Sequence, residues 1–230
     1  MINARRWSEI RLPVLTTAAV AFATFFATIG PVDVAAMFAA LTSESTPEQR
    51  RSMAIKGTAT AAGILLLFAL AGETLLSHLG ISLAAFRTAG GVLLLLIGID
   101  MVFARSSGGV STTEDESAEA HLKSDISVFP LATPLIAGPG AMGAAILLVA
   151  GAEGDLAHQL VVIGTLLGVL LITFVALLGA SQLQRVLGVT GLHVISRVFG
   201  VLLCALAVQF LFDGIAESGL LAGAGWPGGG

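Results

Sequence analysis

Apolar residues run in long stretches through almost the whole chain, separated by short polar or charged turns. A helix that crosses the ~30 Å hydrocarbon core of a bilayer needs roughly 20 mostly apolar residues. Six stretches of that length are present: Leu12–Leu41, Ala54–Leu76, Ile81–Phe103, Val128–Ala150, Leu160–Leu183 and Leu192–Phe212. The longest polar stretch, Arg105–Asp125, carries Ser, Thr and the acidic trio Glu114, Asp115 and Glu116, and reads as an exposed linker between two halves. The pattern therefore predicts an all-α membrane protein of six transmembrane helices. It comprises a first three-helix unit at 1–104, a linker at 105–127, a second three-helix unit at 128–217 and a flexible Gly-rich tail at 218–230. Arg5, Arg6 and Arg11 ahead of an apolar run imitate a leader with a cleavage site near Ala21-Phe22-Ala23. The run continues past that point to Leu41, so it is read as the first span.

Composition agrees with the pattern. Hydrophobic residues make up 56% of the chain and charged ones 11%, against roughly 25% charged in an ordinary soluble domain. Tyr is absent and there are 28 Gly, a mixture of small and aliphatic residues suited to helices packing in lipid. A net charge of −4 offers no basic excess to meet a phosphate backbone, so no nucleic-acid partner is expected. The single cysteine, Cys204, cannot form an internal disulfide and is read as a small packed side chain. The four histidines, His78, His121, His158 and His193, are expected in loops or at a helix start and show no metal-ligand spacing. No metal or cofactor is expected.

The two halves repeat one another. Gly30-Pro31 is answered by Gly138-Pro139, Gly57-Thr58 by Gly164-Thr165, Gly72 by Gly179, and Arg87 with Gly90 by Arg197 with Gly200, at separations of 107 to 110 residues. Single matches of Gly carry little weight, but a nearly constant separation across three span pairs carries more. Three spans per unit is an odd number, so the second unit enters the membrane from the opposite side and the repeats are inverted, an arrangement characteristic of secondary transporters.

Proline within a helix removes a backbone hydrogen bond and clashes with the preceding turn, and a neighbouring Gly loosens the chain further. Gly30-Pro31 and Gly138-Pro139-Gly140 fall inside the first and fourth spans, which are therefore expected to be broken. Paired breaks in corresponding spans point to a binding site. The half-helix beginning after a break offers N–H groups and a positive dipole end to a carboxylate, and the one ending there offers carbonyls to an ammonium group. A small zwitterion fits both. Candidate substrate-binding residues are Thr28, Gly30, Pro31, Val32 and Asp33 with Ala137, Gly138, Pro139 and Gly140. Asp33, a carboxylate within the membrane, is a candidate for proton coupling, or alternatively a cap for the second half-helix. Arg87, Asp100 and Arg197 are further coupling or gating candidates. Glu73, Asp100 and Asp213 lie near span ends, where interfacial solvation is the plainer explanation, and Arg87 and Arg197 are expected to reach for the interface.

The run Pro130-Leu-Ala-Thr-Pro134-Leu-Ile-Ala-Gly-Pro-Gly-Ala141, with Phe86-Arg-Thr-Ala-Gly-Gly-Val-Leu-Leu-Leu95 and Gly98-Ile-Asp-Met101, resembles the MarC family of six-span membrane proteins over roughly residues 12 to 215. The family includes a neutral amino acid transporter of the SnatA type that handles glycine and alanine, so the resemblance implies small zwitterions as substrate and the two broken helices as the site. At the first break, where family members usually have Asn before the Pro and a further Pro a few residues on, this chain has Gly30 and Ala35-Ala36.

Basic residues favour the cytoplasmic side. Arg50, Arg51, Lys56, Arg105, Lys123 and Arg185 follow spans one, three and five, against Arg5, Arg6 and Arg11 on the other side, which predicts an inner-membrane protein with both termini outside. The function expected is secondary transport of small neutral amino acids by alternating access, with protons as the candidate coupling ion. The alternatives are export of another small solute, or an interaction or stress protein with no flux of its own. No enzymatic motif is present: the chain lacks paired His ligands and a Gly-x-Ser-x-Gly elbow. Gly-rich faces serve internal packing as readily as dimerisation, which leaves a homo-oligomer open.

Overall fold

The computed structural model describes residues 14–103, 125–152 and 154–219. Arg5, Arg6 and Arg11, Arg105, Glu114 to Glu116, His121, Lys123 and the tail from residue 220 lie outside the described residues, as do the side chains of Arg185 and His193. The described elements are α1 (Val14–Ile29), α2 (Pro31–Leu41), α3 (Pro47–His78), α4 (Leu83–Phe103), the wide-wound segment α5 (Ser127–Ile136), α6 (Pro139–Ala150), α7 (Leu156–Leu178) and α8 (Ala180–Glu217). Among the described residues there is no strand. Among the described residues five helical spans are long and apolar enough to cross a membrane, or six if the bent pair α5–α6 is counted as one span. Helix, break, helix and then two long helices occur twice in succession.

Several boundaries differ from those expected from hydropathy. α3 starts at Pro47 rather than Ala54, because Thr46 and Gln49 form a capping box: the Thr46 hydroxyl accepts from the Gln49 N–H at 3.3 Å and the Gln49 side chain accepts from the Thr46 N–H at 2.9 Å. α7 starts at Leu156 rather than Leu160, because Asp155 caps it by accepting from the Ala157 N–H at 2.9 Å. It ends at Leu178, before Gly179, rather than at Leu183. The turn expected before Leu192 does not form. α8 runs unbroken from Ala180 to Glu217, since nothing in that stretch is a Pro, and His193 lies inside the helix. His78 closes α3 and His158 sits in the first turn of α7, so neither is a loop residue.

Interior and lipid faces separate clearly. In the first span, Leu15–Leu41, 56% of the apolar window is buried, against 17–33% in the four uninterrupted spans. The broken span therefore sits centrally, and α3, α4, α7 and α8 carry the outward aliphatic surface, for example Leu67, Leu70, Leu96, Leu171 and Val201. An outer surface of that kind suits hydrocarbon and not water.

Close approaches at glycine fix the helix directions. A Cβ built on Gly57 would meet Leu131 Cδ2 at 2.5 Å and the Ser127 carbonyl at 3.0 Å, and Gly72 faces Ile146, so α3 runs parallel to α5 and α6. Gly90 faces Leu147 while Gly140 faces Ile97, so α4 runs antiparallel to α6. Gly91 faces Ala207 and Leu211, Gly98 faces Cys204 and Gly200, and Gly214 faces Thr88, so α4 packs antiparallel on the C-terminal half of α8. Across the halves, α3 packs on α5 and α6 while α7 packs on α1 and α2. Residues matched in sequence do not all share one environment. Gly57 is pressed on α5, whereas its counterpart Gly164 has open space beside it.

Candidate functional site

The first break is a single residue. Gly30 has φ 60° and ψ 60°, the left-handed conformation that costs an ordinary L-residue roughly 1–2 kcal/mol. Asn is the other residue that visits it readily, so Gly30 satisfies the same backbone demand as the Asn usual in the resembling family. Pro31 follows as the first residue of α2, where its missing N–H costs nothing. α1 and α2 remain aligned enough to form one span.

The second break is larger. α5 and α6 meet at 57°. Within α5 the residues preceding proline, Phe129 and Thr133, are extended rather than helical, as the proline ring demands of its neighbour. The backbone re-pairs over five residues instead of four: Leu131 N–H donates to Ile126 O at 3.1 Å and Ala137 N–H to Ala132 O at 2.8 Å. Gly138 then caps α6 without a side-chain hydrogen bond, and Pro139 and Gly140 open the helix. The first turn of α6 thus presents backbone donors that the helix itself does not use.

The two breaks adjoin. α1 packs on α6 and α2 on α5, and Thr28 Cγ2 lies 3.9 Å from a Cβ built on Gly140. Thr28, Gly30, Pro31, Ala137, Gly138 and Gly140 are buried, Val32 is half-buried and Pro139 is exposed. The Thr28 hydroxyl donates to Thr24 O at 2.8 Å and that of Thr24 to Val20 O at 2.8 Å, so α1 holds two buried hydroxyls whose lone pairs remain able to accept. Small side chains dominate the junction, and Leu94 and Ile97 of α4 close it over Gly140.

Asp33 lies in the first turn of α2, whose N-cap residue is Gly30, and there its charge faces the positive end of the helix. Its carboxylate, half-buried, accepts from the Ser196 hydroxyl of α8 at 2.7 and 2.9 Å. Ser196 escaped the sequence reading: it is a lone serine on an apolar span, and its counterpart in the first half is Phe86.

The two arginines part company. Arg87 has only 13% of its side chain exposed and forms an ion pair with Glu217 on α8. One guanidinium nitrogen lies 3.5 Å from a Cβ built on Gly151, where the C-terminal end of α6 favours a cation. It ties α4, α6 and α8 together near the start of α4 and the end of α8. Arg197 is exposed. Asp100, half-buried in the last turn of α4, bonds neither Asp33 nor either arginine. Among the described residues no three His, Cys, Asp or Glu lie close enough to share a metal ion.

The profile described as "MarC family integral membrane protein" matches residues 15–218. The chain belongs to the MarC family. Its relatives include a UPF0056 membrane protein of Methanocaldococcus jannaschii, 40% identical over 196 residues that cover 85% of this chain and 94% of the relative. Another is a UPF0056 membrane protein of Archaeoglobus fulgidus, 33% identical over 197 residues (85% and 91%). The UPF0056 membrane protein YhcE of Escherichia coli is 32% identical over 198 residues (84% and 89%). No solved structure matches the chain. As a MarC-family protein with this helical composition it is a multi-pass integral membrane protein.

Proposed function

We propose that this MarC-family chain is a secondary transporter of small neutral amino acids, holding the substrate between its two interrupted spans. The observation that carries the reading is the buried junction of the breaks, with Thr28 beside Gly140. A non-helical backbone within a span is tolerated where protein, water or solute pairs its freed groups. The first turn of α6 offers donors and a positive dipole end to a carboxylate, and the end of α1 offers carbonyls to an ammonium group. Gly, Ala and Thr border the junction, and the pairing of a carboxylate with an ammonium group across it suits a small zwitterion such as glycine or alanine.

Alternating access follows from inverted repeats, and the helix directions support them. Spans two, four and six run one way and span three the other, as the packing of α3, α4, α6 and α8 requires. The α4–α8 seam also maps approximately onto itself when the halves are exchanged. Gly200 meets Met101, while Gly91, next to the Gly200 counterpart Gly90, meets Leu211, which lies at the Met101 counterpart. Asp33, held by Ser196, is the candidate proton carrier. The protein resides in the inner membrane with its termini outside, and the ends of α3 and α5 that carry Lys56 and Asp125 face the cytoplasm; that pair, 3.1 Å apart, requires the two ends to share a side.

Equilibrium dialysis of radiolabelled glycine against the purified protein tests the site. Saturable binding lost in Gly138→Leu, with the helical ellipticity of the variant unchanged, is expected. Equal binding by both proteins, or no binding by the folded wild type, would remove the assignment.

A further inference from the structure

Away from the breaks, a cavity of about 240 Å³ opens where α2 turns into α3 and α7 into α8. Its polar wall includes Thr42, Arg50, Arg51 and Gln182, and its apolar wall includes Phe38 and Leu178. Arg50 is fixed in place, donating from Nε to Thr42 O at 2.8 Å and from Nη2 to Ser43 O at 3.2 Å. These bonds hold its guanidinium against the carbonyl end of α2, on the cavity wall. Arg51, next in the same turn of α3, is exposed. Among the described residues that line the cavity, the charged ones are Arg50 and Arg51, and the first turn of α3 adds its dipole.

The depth of the cavity identifies the ligand class. α3 has no charged residue between Lys56 and Glu73, and at 1.5 Å per residue the stretch Gly57–Gly72 spans about 24 Å of hydrocarbon. Arg51 then lies about 9 Å beyond that stretch, at the level of lipid headgroups. On the opposite wall Leu178 ends the apolar run of α7 and is 48% exposed, which makes the cavity continuous with the lipid-facing surface. A cationic, hydrogen-bonding wall at headgroup depth that opens sideways onto leucine suits an anion carrying acyl chains. We propose that this cavity binds the phosphate-bearing headgroup of an anionic phospholipid, with Arg51 and Gln182 on the phosphate and the acyl chains along α7.

The test titrates the full-length chain in a neutral detergent with dioleoyl phosphatidylglycerol, dioleoyl phosphatidylcholine or inorganic phosphate, and follows the thermal unfolding midpoint by far-UV ellipticity. Phosphatidylglycerol should raise the midpoint at lower concentration than phosphatidylcholine. Arg51→Gln should raise its half-saturating concentration about fivefold, the loss expected for one basic group at a lipid surface, while Arg51→Lys keeps most of the effect. Lys56→Gln serves as the control, because Lys56 is a second exposed cation on the same end of α3 but lies outside the cavity, about 7.5 Å nearer the membrane centre. An equal loss from Lys56→Gln, or equal stabilisation by the two lipids, would overturn the site. Stabilisation by inorganic phosphate that phosphatidylglycerol does not exceed would assign the same chemistry to a free anion and overturn the lipid.

Discussion

Adding one methyl group at the α4–α8 seam should separate packing from helix propensity. A Cβ on Gly200 would lie 2.8 Å from Met101 Cβ and 3.0 Å from both the Gly98 carbonyl and the Val102 nitrogen. Ordinary contacts between such atoms sit at about 3.5–4.0 Å, and two of the three obstacles are backbone, so in Gly200→Ala the helices must part by several tenths of an ångström. Overpacking of this kind costs about 1–3 kcal/mol. Alanine also favours the helix over glycine by roughly 1 kcal/mol, which would mask part of the loss. Gly164→Ala supplies the reference, since nothing lies within 4 Å of its Cβ position and only the propensity gain remains. The difference between the two variants is therefore the overpacking cost, about 1–3 kcal/mol. Unfolding by dodecyl sulfate in mixed micelles, followed by far-UV ellipticity, measures it. Maleimide labelling of Cys204 gives a second readout, because its sulfur packs against Gly98 at the same seam and should react faster once the helices part. Equal stability and equal labelling in the two variants would refute the close crossing.

Arg87→Gln should destabilise by about 1–3 kcal/mol, the usual loss of a charge-assisted bond whose partners are partly buried, while Arg197→Gln stays within about 0.5 kcal/mol as an exposed position; the same micelle titration compares them. Gly30→Asn should keep both stability and glycine binding, whereas Gly30→Val should lose about 1–2 kcal/mol through the left-handed backbone and lose binding, as equilibrium dialysis would report. At the start of α7, the His158 ring and then the Ala157 N–H hold the Asp155 carboxyl below its ordinary value of 3.8. The folded-state value is lowered, so its contribution is present above pH 3.8 and is lost as pH falls through the lower folded-state value. Hydrogen exchange at the Ala157 amide should stay slow at pH 5 and speed up, beyond the intrinsic trend, as pH falls through the lowered folded-state value, and Asp155→Asn should shift or abolish that change.

Spans and breaks were legible in the sequence because both rest on local rules. Hydrocarbon thickness dictates the length of an apolar run, and Gly30-Pro31 and Gly138-Pro139 interrupt a helix by their own backbone chemistry. The helix starts at Pro47 and Leu156 were legible too, in Thr46-Pro-Glu-Gln49 and Asp155, but hydropathy alone passes over capping residues. The Asp33–Ser196 bond was not legible. It arises from which faces α2 and α8 turn toward one another, and a solitary Ser within an apolar span carries no periodic signal. The opposite fates of Arg87 and Arg197 show the limit of repeat reasoning. Glu217 lies opposite the first and pairs with it, and a shared motif does not specify what the other half places opposite.

Counterflow of radiolabelled glycine and alanine in proteoliposomes, with and without an imposed pH gradient, tests the central claim most directly. Saturable exchange by the wild type, absent in Gly138→Leu and insensitive to the gradient in Asp33→Asn, is the expected result. No exchange by reconstituted protein shown to be folded would contradict transport of small amino acids through the joined breaks.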